Sequence, residues 1–506
     1  MTLLVDKNKK PKTGPDTWLK ERIKPEQVEK YLDNGRCFID PARIEQALSV
    51  NTNPQPQRVR DILRKSLAVE TLTPDETACL LNVEDPELLA EMQQVAGEVK
   101  IKVYDNRIVT FAPLYLNNFC VNDCLYCGFR RSNKQAERRI LSLDEVRHEA
   151  EVLAGVIGHK RLIVVYGEHP KADVEYIAST LQTIAGVKVT TRKSFGQIRR
   201  CNVNAAPMSI EELGILNEAG IGTFQVFQET YHRPTYEKVH PADTIKGDYL
   251  WRLYCMHRAM EAGVDDIGIG VLFGLYDWKF EVMALLSHAI ELENKFGIGP
   301  HTISFPRLEP AHNTPFAGNS EHHVDDTAFK KLVTVLRLAV PYTGMILTAR
   351  ENAELRRQVL PLGCTQTDAS TKIGIGGYAC RSDNKQHGQQ QQFILGDTRS
   401  LDDVVRELAE AGYITSFCTA GYRCGRTGQK IMKLLRSGKE GRFCKLNAIL
   451  TFREWLDDFG SEQTIAAGEK IIAKEIEQVK KQMPQIYEQF LSYYDKTKTG
   501  HRDLYF

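Results

Sequence analysis

From about residue 100 onward, short β-branched runs alternate with helical stretches, and this rhythm constrains the fold more than any other feature of the chain. "RIVTFAPLYL" is followed by "LDEVRHEAEVLAGV", then by "RLIVVYG", "DVEYIASTLQTIAG" and "VKVTTR". "SIEELGILNEAG" at 209–220 leads to "TFQVFQ", a helix at 249–262 and "DIGIGVLFG". A helix at 277–296 precedes "HTISFP", one at 325–339 precedes "GMILTA", and "GCTQTD" at 363–368 closes the series. About eight strand-then-helix units before residue 380 predict an α/β fold of the (β/α)8 TIM type rather than an open sheet.

The flanks read differently. Residues 17–96 have apolar positions at helix spacing, such as Ile62, Leu63 and Leu67. Helix starts at "TPDE" (73–76) and "DPEL" (85–88) combine a capping residue with proline at the first helical position. This predicts a helical N-terminal extension over 1–99, the barrel over 100–385, and a smaller, mostly helical C-terminal domain over 386–506. Residues 381–399 are polar and turn-rich, a linker by composition. The apolar spacing over 464–495 predicts packed amphipathic helix, which Pro484 should kink or divide.

Composition removes several function classes. The 66 basic side chains against 65 acidic ones leave a net charge of only +1, not the basic surface that nucleic acid usually needs. The run Arg130, Arg131, Lys134, Arg138 and Arg139 reads as a solvated face or as partners for anionic groups of a nearby ligand. No stretch approaches the ~18–20 apolar residues of a membrane span, and the N-terminus lacks the apolar region of a secretory signal. A cytoplasmic protein is expected. Twelve cysteines in 506 residues are too few for a disulfide framework. Cys37, Cys79, Cys201, Cys255, Cys364 and Cys380 are scattered and read mostly as small hydrophobes.

Three other cysteines are not scattered. Cys120, Cys124 and Cys127 stand in "LNNFCVNDCLYCGFRRSN", spaced CxxxCxxC, directly after the first predicted strand. Zinc wants four closed ligands, or three with histidine or carboxylate participation, and fits this trio poorly. Three thiolates on one loop can instead hold three irons of a [4Fe–4S] cube and leave the fourth open to a small molecule. The second strand ends in "VVYGEHP", which puts Gly167 and Glu168 at the same rim. A glycine admits close backbone approach and a carboxylate accepts hydrogen bonds from an ammonium, although Glu168 also reads as a helix N-terminal charge.

On these residues the chain resembles the radical S-adenosylmethionine enzymes, and within them the tyrosine lyases. The likeness runs through "APLYLNNFCVNDCLYCGFRRSN", "VYGEHP", "QVFQETYHRPTYEKVHP", "DDIGIGVLFGLYDWKFE", "GPHTISFPRLEPA", "TQTDASTKIGIGGY" and "CTAGYRCGRTG" with "FCKLNAILTFREWLDDF". It resembles the [FeFe]-hydrogenase maturase branch more than the thiazole-pathway branch, which lacks a comparable C-terminal cysteine region.

The resemblance implies that Cys120, Cys124 and Cys127 hold the cube and that S-adenosylmethionine chelates its open iron, with Glu168 and Gly167 near its amino group and Tyr126 against its adenine. An electron donor would reduce the cube, giving a 5′-deoxyadenosyl radical that takes hydrogen from the amine of L-tyrosine. Cα–Cβ cleavage would then release p-cresol and dehydroglycine. The maturase branch carries a second iron–sulfur cluster, on three cysteines spaced CxxCx22C, that yields carbon monoxide and cyanide; other hydrogenase maturation proteins would be partners. Here Cys418 and Cys444 keep the outer spacing of 26 positions, but the middle position is Gly421 and the nearest cysteine is Cys424. Either Cys424 serves as third ligand, or the second cluster is incomplete and the enzyme stops at dehydroglycine.

His301 matches the family histidine that holds an extra iron, although a lone histidine is more often a core residue. Arg307, in "FPRLEP", is the candidate for the tyrosine carboxylate, with a structural ion pair as the competing reading. His232 and Tyr236 are expected near the rim.

Overall fold

The computed structural model describes residues 15–379, 386–436 and 440–506. Cys380 and residues 381–385 of the expected linker lie outside the described residues. Eight parallel strands close on themselves: β1 (Arg107–Asn117), β2 (Arg161–Tyr166), β3 (Arg200–Asn204), β4 (Phe224–Gln225), β5 (Ile267–Gly270), β6 (Thr302–Ser304), β7 (Gly344–Leu347) and β8 (Gln366–Asp368). β8 returns to β1 in the register Val109↔Gln366 to Phe111↔Asp368, so the expected (β/α)8 barrel is present. Helices start where the sequence signals placed them. Ser142 and Ser209 close capping boxes with Glu145 and Glu212, and Asp277 and Asp325 cap the helices Trp278–Phe296 and Asp326–Ala339.

The third strand differs from the expectation. "VKVTTR" contributes only Val189–Thr190 to a two-stranded hairpin outside the barrel, while β3 is Arg200–Asn204, "RCNVN". Local β-branching favours the first segment, whereas the second owes its place to tertiary partners. Asn202 Oδ1 accepts from Thr223 N at 3.0 Å, and Arg200 pairs with the Asp266 carboxylate.

N-terminal helices cover one side of the barrel. Thr73 forms a capping box with Glu76 ahead of the helix Pro74–Leu81, and Asp85 caps α1 (Pro86–Tyr104) through Leu88 N at 2.8 Å. After the barrel comes a ninth strand, β9 (Ile414–Ser416), which pairs parallel with the first residues of β1. α2 (Gly428–Arg436), α3 (Glu440–Phe459), α4 (Glu462–Gln482) and α5 (Pro484–Lys498) follow, and Pro484 divides the last two. One continuous apolar cluster runs from Val28 to Tyr494, so both flanks share the barrel's core. Among the described residues no helix is long and apolar enough to cross a membrane.

Candidate active site at the upper barrel mouth

The loop after β1 is built before it is functional. Asn117, the last residue of β1, donates to the carbonyls of Phe119 (3.2 Å) and Gly167 (2.9 Å) and accepts from Phe119 N (2.8 Å). Val121 N donates to Glu168 O at 2.8 Å, which ties the cysteine loop to the end of β2. Gly167 is required there, because a Cβ would lie 2.4 Å from Phe119 O. The basic run after the cysteines is internal stitching: Arg138 donates to the carbonyls of Asn118, Phe129 and Arg130, Arg131 pairs with Asp243, and Arg139 with Glu145.

Cys120, Cys124, Cys127, Tyr126, Gly167 and Glu168 line one cavity at the C-terminal ends of the strands, which encloses about 1510 Å³ including its open mouth. Burial, then Cys127, pushes the Cys120 thiol up to about 11. Burial pushes Cys124 to about 12 against the pull of Lys246. Such thiols stay protonated until a cation replaces the protons. Donors already point at sulfur: Phe129 N at 3.4 Å and Gln392 Nε2 at 3.6 Å from Cys127 Sγ, and Asn122 Nδ2 at 3.8 Å from Cys120 Sγ. Three thiols on one loop, two of them met by N–H groups, are a donor set that fits an iron–sulfur cube. Tyr126 is buried, its hydroxyl 2.8 Å from His240 Nε2.

The facing wall is charged. Glu229, at φ 72°, lies 2.8 Å from Lys246 Nζ and 3.2 Å from Arg252 Nη2. Burial would raise its carboxyl, but these two cations outweigh burial and hold it below the usual range. A non-glycine residue held at positive φ by two ion pairs is a strained position that its surroundings over-determine.

Arg307 is elsewhere. Its guanidinium is taken up by Glu351 (Nε–Oε1 2.9 Å) and Asp326 (2.9 Å), and it lines a separate small cavity. Arg350 lines the main cavity instead. It lies 3.3 Å over the Phe393 ring, and among the described residues no carboxylate pairs with it. Neither His232, stacked 3.6 Å from Tyr276, nor Tyr236, fully buried with its hydroxyl on Lys246 O, lines this cavity.

At the opposite mouth, His301 precedes β6 and Cys418 follows β9 at φ 47°. Together with Cys444 of α3 and Gly421 they line a cavity of about 620 Å³, with Tyr104, Asp266 and several arginines. Burial raises Asp266, but His301 and Arg200 outweigh it and keep the carboxyl low. Cys424 does not line this cavity; its thiol lies 3.7 Å from Phe506 O.

The radical SAM superfamily model matches residues 114–286, and the biotin and thiamin synthesis associated domain matches 304–414. A crystal structure of HydG, a maturase of the [FeFe]-hydrogenase, is 46% identical with a TM-score of 0.87, over 93% of this chain and 100% of that one. The 2-iminoacetate synthase of Salmonella typhimurium is 30% identical over 354 residues, covering 69% of this chain and 88% of its own length. The chain belongs to the radical S-adenosylmethionine tyrosine lyase family. HydG from Carboxydothermus hydrogenoformans is also similar, at 35% identity and a TM-score of 0.74 over 89% of this chain and 97% of that one.

Membership in this family implies a [4Fe–4S] cluster and S-adenosylmethionine, and the thiol set after β1 fits the cluster. Sequence reasoning missed Asn122, Glu229, Lys246, Arg252 and Arg350. Arg350 had a usable signal, since "GMILTAR" places it just past the C-terminal end of a barrel strand. Lys246 and Arg252 had none, because they lie 21 and 27 positions past the end of β4 and come back to Glu229 only in the fold.

Proposed function

We propose that this chain cleaves the Cα–Cβ bond of L-tyrosine to p-cresol and dehydroglycine at the upper mouth. At the lower mouth His301, Cys418, Cys424 and Cys444 would hold a second iron–sulfur cluster, whose chemistry would split dehydroglycine into carbon monoxide, cyanide and water for [FeFe]-hydrogenase assembly. The observation that carries the reading is one cavity shared by Cys120, Cys124, Cys127, Glu168, Arg350 and the Glu229–Lys246–Arg252 group. When bound, the cube and S-adenosylmethionine supply the one-electron cleavage that starts the reaction.

The chain's residues bind and orient. Glu168 offers a carboxylate to the sulfonium nucleotide's ammonium, and the Tyr126 ring offers an apolar face to its adenine. Arg350, without a carboxylate partner among the described residues, is the group suited to the tyrosine carboxylate, the role the sequence assigned to Arg307. The buried walls keep water and stray hydrogen donors from the reacting atoms.

His301, Cys418 and Cys444 at one lower cavity support a second cluster. So does coverage: the HydG structures match 93% and 89% of this chain, the 2-iminoacetate synthase 69%. Cys424 would be the third thiol, after a turn of the Cys418–Cys424 segment. Its present contact with Phe506 favours the second reading, a lyase that stops at dehydroglycine.

Anaerobically reconstituted protein, given tyrosine, S-adenosylmethionine and a reductant, is assayed for p-cresol, carbon monoxide and cyanide. All three are expected; cresol without either diatomic selects the second reading, and no cresol overturns both.

A further inference from the structure

Arg22 stands just after the first described helix, Pro15–Glu21, far from the barrel in sequence, and yet its guanidinium is buried at the upper mouth. Three contacts fix it. Nη1 donates to Glu212 (2.6 Å to Oε2), Nη2 donates to Pro207 O (2.9 Å), and the plane lies 5.2 Å from the Trp18 ring centroid. The remaining edge, Nε, makes no hydrogen bond and faces Glu168 Oε1 at 3.6 Å. Glu168 is 7% exposed, and its other oxygen accepts from Asn122 Nδ2 at 2.6 Å. Oε1 is therefore buried, faces a cation, and has no hydrogen-bond donor among the described residues.

A buried acceptor without a donor is costly, and a buried carboxylate without a nearby cation more so. Arg22 supplies the charge, yet at 3.6 Å it stops short of a hydrogen bond. The lone pairs of Oε1 thus remain open to an ammonium from the cavity. Because Arg22 is already held by Glu212 on its outer side, its own positive charge is partly neutralised away from the cavity.

We propose that Arg22 is a positioning residue for S-adenosylmethionine: it fixes the Glu168 carboxylate with Oε1 presented to the amino group of the cosubstrate. The N-terminal segment is then part of the cosubstrate site, which no βα loop of the barrel would by itself reveal. This rests on Glu168 meeting that ammonium, as proposed above.

The test measures binding of radiolabelled S-adenosylmethionine by equilibrium dialysis on cluster-loaded protein, with the electron paramagnetic resonance spectrum of the reduced cluster before and after titration. Glu168→Gln tests the underlying reading; unchanged affinity in it removes the Glu168 role and Arg22's with it. With that role intact, Arg22→Ala is expected to weaken binding about tenfold. Its nucleotide-free cluster spectrum should be unchanged, and the loss should appear in the cosubstrate KM while the tyrosine KM stays within about twofold. Arg22→Lys should recover part of the loss, since it keeps a cation beside Oε1.

Glu212→Gln separates positioning from mere tethering of the N-terminal segment, because it weakens the tether and leaves Arg22 beside Glu168. It should bind the cosubstrate within about threefold of the native protein. Native or tighter affinity in Arg22→Ala, or a loss in Glu212→Gln equal to that in Arg22→Ala, overturns the proposal.

Discussion

Arg307 and Arg350 carry the same side chain close to strand ends, and their neighbours give them different work. Arg307 is held by two carboxylates, so Arg307→Ala should lower the melting temperature, with the tyrosine KM within about threefold of native. Arg350 lies over Phe393, pairs with no carboxylate among the described residues and faces the cavity. Arg350→Ala should raise the tyrosine KM by about two orders of magnitude in a p-cresol assay while leaving cosubstrate binding intact, the size expected for losing a charge-assisted bidentate contact.

Gly421 makes the opposite point, since what matters there is room. A Cβ at Gly421 meets nothing closer than 3.9 Å, and its φ is not positive. The backbone accepts a Cβ there without strain. Cys424→Ala should abolish carbon monoxide and cyanide and spare cresol, and adding Gly421→Cys to that variant should restore both diatomics. Failure of the double variant would place the third ligand elsewhere.

Among elements, the cysteine loop and the end of β2 pack backbone to backbone. Their closeness depends on Gly167, whose replacement by alanine drives a Cβ into Phe119 O. Gly167→Ala should cost about 1–3 kcal/mol of stability by denaturant unfolding and reduce the iron held per chain.

α1 carries a different tension. Lys100 is buried, its Nζ 4.1 Å from the Tyr413 ring centroid, and burial lowers it to about 7. An unfolded lysine titrates near ~10.4, so between those values the unfolded chain holds the extra proton and stability rises with pH. Lys100→Met should be more stable than the native chain by about 1–3 kcal/mol at pH 7.5. The difference should shrink toward pH 10, and a gap independent of pH would exclude this cause.

For the molecule as a whole, the flanks are not appendages. The N-terminal segment reaches Glu168 through Arg22, and the C-terminal region adds β9 to the barrel and carries Cys418 and Cys444 to its lower mouth. Loading iron and sulfide should therefore raise the melting temperature of the entire chain in one transition, with chelation reversing the gain. Separate transitions for barrel and flanks would contradict the single core.

The sequence alone was enough for the strand–helix count, the capping signals and the CxxxCxxC loop after the first strand. Each is a local pattern, written in neighbouring residues by side-chain periodicity and backbone chemistry. The assignment of β3 to "RCNVN", the capture of Arg307 by Glu351, and the burial of Arg22 against Glu168 needed the tertiary structure. Each depends on partners from about 20 to 146 positions away in the chain, and closure of a barrel, not local propensity, decides which charges meet.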